Sequence, residues 1–199
     1  MNELDPQRTR TPAWSLGLDG WIIQDGNYPD LARGARIEVA VEFGFVDAPR
    51  PSSGRPSARL LADSTYLLNA RVLTVEQDAW VLDVGLQVFQ ETRPPSGTQP
   101  GDMLSGKAYL GVDPFFYFER LALVPSMPPL IYTWDIEAIR LDCTPRTPVD
   151  GIWVRDRTRE RLEEVEATDA WGHQKGDSAY VLDCRLLDFP PKRVSATAT

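Results

Sequence analysis

Asp135 and Glu137 stand two apart in the segment 130–143, LIYTWDIEAIRLDC. On a β-strand that spacing puts both carboxylates on one face, opposite Trp134 and Ile136. Two carboxylates facing a groove can divide the acid and base roles of glycoside hydrolysis. The same pattern is what the solvent face of any half-buried strand shows, and that is the expected reading. His173, in Trp171-Gly-His-Gln-Lys-Gly176, is the sole histidine. Ser-His or Cys-His chemistry would need it as base. No G-x-S-x-G or cysteine-protease pattern surrounds it, so a solvated histidine at a hairpin tip is expected.

Metal chemistry finds little support. Zinc needs about four Cys or His ligands at close spacing, and only Cys143, His173 and Cys184 are present, far apart. Asp25, Asn27 and Asp30 in QDGNYPD superficially suggest calcium. However, the twelfth position of that loop is Arg36 rather than glutamate, and Pro29 interrupts it. These residues read as turn formers. Gly-rich phosphate loops and dinucleotide fingerprints are absent. No metal and no cofactor is expected. The two cysteines read as small buried hydrophobes rather than reactive thiols.

Aromatic residues offer a binding surface. Phe115, Phe116, Tyr117 and Phe118 follow one another, with Trp134 near by in sequence. Four successive aromatics cannot all point inward from one strand. The candidate surface therefore joins Phe116, Tyr117 and Trp134 to the loop residues Asp25, Asn27 and Tyr28 and to Trp171 and His173.

The elements that would position these residues are strands. Residues 66–89 read as a hairpin: Trp80, Leu82, Val84, Leu86 and Val88 alternate with polar or small residues, and Glu76-Gln77-Asp78 forms the turn. Arg36–Phe45 alternates cleanly. Residues 130–143 change phase near Ala138, as a β-bulge would produce. Residues 155–168 are charged and expected to be turn and strand rather than helix. Asp113-Pro114 can open one short helix. Residues 71–84 and 161–184 share Val-Glu, Asp-Ala-Trp and Val-Leu-Asp in that order, an echo that a duplicated hairpin would explain.

These patterns predict an all-β chain of two tandem small antiparallel barrels, OB-like or a similar Greek key, with at most one short helix. The expected divisions are a mobile arm over 1–13, a first barrel over 14–92, a linker over 93–101, a second barrel over 102–190 and a disordered tail over 191–199. The loop 47–59, rich in Pro, Ser and Gly, is expected to be mobile or to cover something.

Of the 199 residues 42% are hydrophobic, enough to build a core, and the formal charge is −8 without a basic stripe. Phosphate backbones are bound by clustered Lys and Arg, so nucleic acid is an unfavoured partner. Lysine occurs only at 107, 175 and 192 beside abundant arginine, a bias of GC-rich bacterial coding. No apolar run approaches the ~20 residues of a membrane span. The first residues, MNELDPQRTRTPAW, lack a signal-peptide core, so a cytoplasmic protein is expected. The functional expectation is a non-catalytic bacterial binding protein that engages a protein partner or itself. An OB-type binder of single-stranded nucleic acid or another polymer, and a carboxylate hydrolase, are the alternatives.

Overall fold

The computed structural model describes residues 13–150, 152–187 and 190–193. In chain order these form β1 (Ala13–Asp19), α1 (Gly20–Gln24), β2 (Arg36–Val39), β3 (Val41–Phe45), β4 (Arg50–Pro51), β5 (Ser57–Ala62), β6 (Thr65–Val75), β7 (Trp80–Asp83) and β8 (Gln87–Gln90). There follow β9 (Met103–Val112), α2 (Phe116–Glu119), β10 (Tyr132–Asp142), β11 (Arg146–Val149), β12 (Ile152–Arg155), β13 (Leu162–Val165) and β14 (Ala179–Leu186). Single 3-10 turns lie at Leu121–Leu123, Arg157–Arg159 and His173–Gly176. The protein is mostly β, with two short α-helices where at most one was expected.

Five strands close a barrel. β9 pairs with β3 and β6, β6 with β7, β7 with β8, and β8 runs parallel to β3. Closure leaves no bare edge within the ring. Along β6, Tyr66, Leu68, Ala70 and Val72 are buried while Leu67, Asn69 and Arg71 turn outward. Along β9, Leu104, Ala108, Leu110 and Val112 are buried and Lys107 and Tyr109 are exposed. This is the two-residue period expected of a half-buried strand.

The remaining strands form a sheet that continues from the barrel. β10 pairs with β14 on one side and with β2 and β13 on the other; β14 pairs with β1. β1 touches β9 through a parallel bridge between Gly17 and Gly111. β2 and β3 are one run of chain broken only at Ala40, so it leaves this sheet and enters the barrel. The hydroxyl of Tyr66 accepts from Ser15 N (2.7 Å) and donates to Ser15 O (3.2 Å), joining barrel and sheet.

Several expectations change. The barrel draws β9 from beyond residues 93–101, so that segment is not a linker between separate barrels; it folds back on β6 through Gly101 N to Val72 O, 2.8 Å. The row from Trp80 to Val88 is buried throughout, but it is not one strand. The chain reverses at Val84–Leu86, where Gly85 adopts φ +91°, and β7 pairs with β8. The sequence echo is not a repeated hairpin: β13 and β14 flank β10 instead of pairing with each other. Residues 157–165 form a 3-10 turn and a strand, as expected, and β10 carries its bulge between Ile136 and Ala138. Within the expected tail, Lys192 pairs with Ile131 and its Nζ contacts Glu38 at 3.1 Å. Of the expected arm over 1–13, Ala13 begins β1; residues 1–12, 151, 188–189 and 194–199 lie outside the described residues.

The main core lies inside the barrel and beneath the adjoining sheet. A second cluster packs Tyr117, Leu121, Met127 and Leu130 onto Val81 and Phe89, the outward residues of β7 and β8. No helix of the described residues is long and apolar enough to cross a membrane.

Candidate functional site

A cleft of about 760 Å³ opens where β1 meets the barrel. Its floor is the outward row of β9, where Lys107, Tyr109 and Gly111 follow at alternate positions, with Glu42 of β3 beside Gly111. Asp19 and Trp21 come from the junction of β1 and α1. Leu61 comes from the end of β5, and Asp63 and Ser64 from the turn between β5 and β6.

Glycines make this arrangement. Gly44 lies opposite Tyr109, and a Cβ at position 44 would collide with the Tyr109 ring. The ring therefore lies over the glycine and stays 43% exposed. Gly111 lets the backbone of β1 approach: a Cβ there would lie 3.2 Å from the Gly17 carbonyl oxygen. Glycine within a strand is a sign of such close approach. β5 shifts register against β6 between Leu60 and Ala62, and Leu61 at that bulge lines the cleft.

The electrostatics are acidic. Burial, and then the charges of Asp113, Glu91 and Asp19, raise the Glu42 carboxyl to about 7. Burial raises Asp113, fully enclosed behind the cleft, to about 7, while bonds from backbone N–H groups pull the other way. Both Asp113 oxygens accept from Tyr117 N at 3.2 Å, but α2 starts at Phe116 with Phe115 as its N-cap, so Pro114 precedes the helix instead of opening it. Burial, with Glu42 and Asp19, raises the Tyr109 phenol to about 12. Tyr109, Glu42 and Asp19 line the same cleft. Arg155 on the far wall is held by Asp142 at 3.1 Å. Among the described residues no Lys or Arg forms an ion pair with Asp19 or Glu42, and Asp19 makes no side-chain capping bond to α1.

The residues singled out from sequence are scattered by comparison. Trp134 is fully buried in the main core, and Tyr117 is buried with its hydroxyl donating to Pro128 O (2.8 Å) and accepting from Leu130 N (3.1 Å). Both are enclosed by the chain's own core clusters. Tyr28 packs edge-on against Phe115 at 5.7 Å, and its buried hydroxyl makes no hydrogen bond among the described residues. Phe116 is half-buried, with the Arg120 guanidinium 5.3 Å over its ring. Asp25 is exposed and Asn27 half-buried on the loop after α1. That loop does meet the 169–177 turn: Gln24 Nε2 donates to Ala170 O and Gly176 O, and Asp30 accepts from Thr168 and Ala170. Trp171 is 69% exposed there. His173 is not a solvated tip residue; its Nδ1 lies 2.9 Å from the Tyr180 hydroxyl. Asp135 and Glu137 share a face, as expected, but Arg36 and Arg185 bind them there at 2.7–3.3 Å. Among the described residues no three His, Cys, Asp or Glu side chains converge as metal ligands.

Sequence reasoning passed over Asp19, Glu42 and Tyr109. The signal available was glycine inside strands: Gly17, Gly44 and Gly111 mark where chains cross. No protein-family model, curated protein or solved structure matches the chain.

Proposed function

We propose that this chain is a binding protein that takes an extended segment of a partner protein along β5 and into the cleft. The observation that carries this is the edge itself. β5 ends the sheet and, among the described residues, pairs on one side only, yet it exposes Leu60 and Leu61 at 45% and 43%. Bare edge strands with exposed apolar side chains invite another strand and are usually blunted or covered. Strand addition satisfies such an edge, with pockets reading alternate side chains of the guest. The composition favours a bacterial, cytoplasmic setting.

The test is hydrogen exchange with peptides selected from a random display library. Protection over 57–65 and 107–112, lost in Leu61→Pro, supports the reading. Protection confined to other strands, or selected peptides that bind Leu61→Pro equally well, overturns it.

The OB-type alternative has support from connectivity. Begun at β6, the ring runs β6-β7-β8-β3-β9 with β8 and β3 parallel. That is the neighbour order of the five-stranded Greek-key barrel called the OB-fold, entered at another point of the chain. We read the barrel as a permuted OB type. The face such barrels use for polymers is that of their second and third strands, here β7 and β8. In this chain Tyr117, Leu121 and Met127 cover it. A nucleic-acid role is thereby disfavoured, in line with the net charge.

The hydrolase alternative shifts to a different carboxyl. Glu42, raised to about 7 beside a cleft, has the property of a general acid. Turnover of a chromogenic glycoside that Glu42→Gln abolishes would favour it over binding.

A further inference from the structure

The structure assigns a side-chain preference to the cleft: we infer that it receives a lysine or arginine of the guest strand between Asp19, Glu42 and Tyr109. The inference rests on reading the cleft as the docking site of an extended segment.

Three observations converge. Asp19 at the end of β1 and Glu42 on β3 face the cleft without an ion-pair partner among the described residues. Other charges on these walls are the Asp142–Arg155 pair, Lys107 at the outer end of the β9 row, and Asp63 and Glu160. Tyr109 and Trp21 are large aromatics left 43% exposed on the same walls. Ring faces beside carboxylates attract a cation through both the quadrupole and the charge. Finally, the charges of Asp113, Glu91 and Asp19 act on Glu42 in the same direction as its burial and favour its neutral form. A guest ammonium or guanidinium would oppose them with a positive charge, whereas an anionic guest would add to the repulsion. The selectivity is an electrostatic complement to main-chain pairing along β5, which is blind to side-chain identity.

The experiment uses three capped seven-residue peptides of alternating Val and Thr, with Lys, norleucine or Glu at the centre, titrated by calorimetry into the full chain. The Lys peptide is expected to bind at least tenfold more tightly than the norleucine peptide, and the Glu peptide more weakly still. Asp19→Asn/Glu42→Gln is expected to erase the tenfold preference. Glu119→Gln/Glu164→Gln, the same charge change on exposed residues elsewhere, is expected to keep it. Equal losses in the two double variants would mean attraction to net charge alone and overturn the inference. Equal binding of all three peptides, still lost in Leu61→Pro, would overturn the inference and leave strand addition standing. No binding of any peptide would remove both.

Discussion

Gly17 and Gly111 meet in a parallel bridge that ties β1 to the barrel, but the two positions have different room. A Cβ on Gly111 would lie 3.2 Å from the Gly17 carbonyl oxygen, which is backbone. A Cβ on Gly17 would lie 3.1 Å from Ser64 Oγ, which is the end of a side chain that can rotate away. Gly111→Ala is therefore expected to cost about 1–3 kcal/mol by overpacking, and Gly17→Ala under about 1 kcal/mol. Urea midpoints of the two variants check this. A larger loss at position 17 would mean that β1 and β9 are not held as close as the bridge requires.

The aromatic run divides into a core residue and a surface residue. Tyr117→Ser removes a buried ring and strands the Leu130 N–H, so a loss of about 3–5 kcal/mol is expected. Phe116→Ser gives up a half-buried ring and the Arg120 contact, worth about 1 kcal/mol. Thermal unfolding of the single variants separates them. Comparable midpoints would show that α2 does not pack as a plug on β7 and β8.

How much of this was legible depends on the range of the interactions concerned. Period two showed the buried row of Trp80, Leu82, Val84, Leu86 and Val88 and the alternation over Arg36–Phe45, because alternation depends only on neighbours in sequence. The bulge in β10 was legible for the same reason, as a change of phase. The reversal at Gly85 was not, since Val84 and Leu86 are buried whether the chain runs on or turns. Trp134 looked like a candidate contact because it lies near the aromatic run 115–118 in sequence; its burial follows from the face of β10 that packs into the main core. Barrel closure joins β3, β6 and β9, far apart in sequence, so a break in composition at 93–101 was a poor guide to division. The cleft is a product of that closure. Glu42 looked like an ordinary solvent-face residue until Asp19 and Asp113 were placed around it.

The Pro/Ser/Gly loop over 47–59 is tied down at one side chain. Asn69 Nδ2 donates to Ser53 O (3.1 Å) and Arg55 O (2.8 Å), and Ser52 Oγ donates to Asn69 Oδ1 (2.7 Å). Asn69→Ala removes all three bonds without touching the buried row of β6. The expected outcome is a melting temperature within a few degrees of the parent and new subtilisin cleavage within residues 52–56, seen by mass spectrometry. Unchanged resistance would mean that β4, paired with β9, holds the loop by itself.

Glu42 should make the protein less stable as the solution becomes more basic. Its carboxyl is held at about 7 in the fold against an ordinary 4.5. Between those values the folded chain keeps a proton that the unfolded chain has released. Stability from this group is then greatest below about 4.5, falls as pH rises toward 7, and levels off above it. Asp113, also held at about 7, adds a slope of the same sign. Glu42→Gln carries no charge at any pH and loses its share of that slope. Relative to the parent, its unfolding midpoint is expected to rise by a few degrees at pH 8 and to change little at pH 4. A guest cation acts in the opposite sense, because it favours the ionised carboxylate that Asp19, Asp113 and Glu91 oppose. Binding of the lysine peptide should therefore tighten between pH 6 and pH 8 and release a proton, and Glu42→Gln should flatten that dependence. A parent protein whose midpoint climbs steadily from pH 4 to pH 8, with Glu42→Gln following the same line, would show that Glu42 is not confined among these charges.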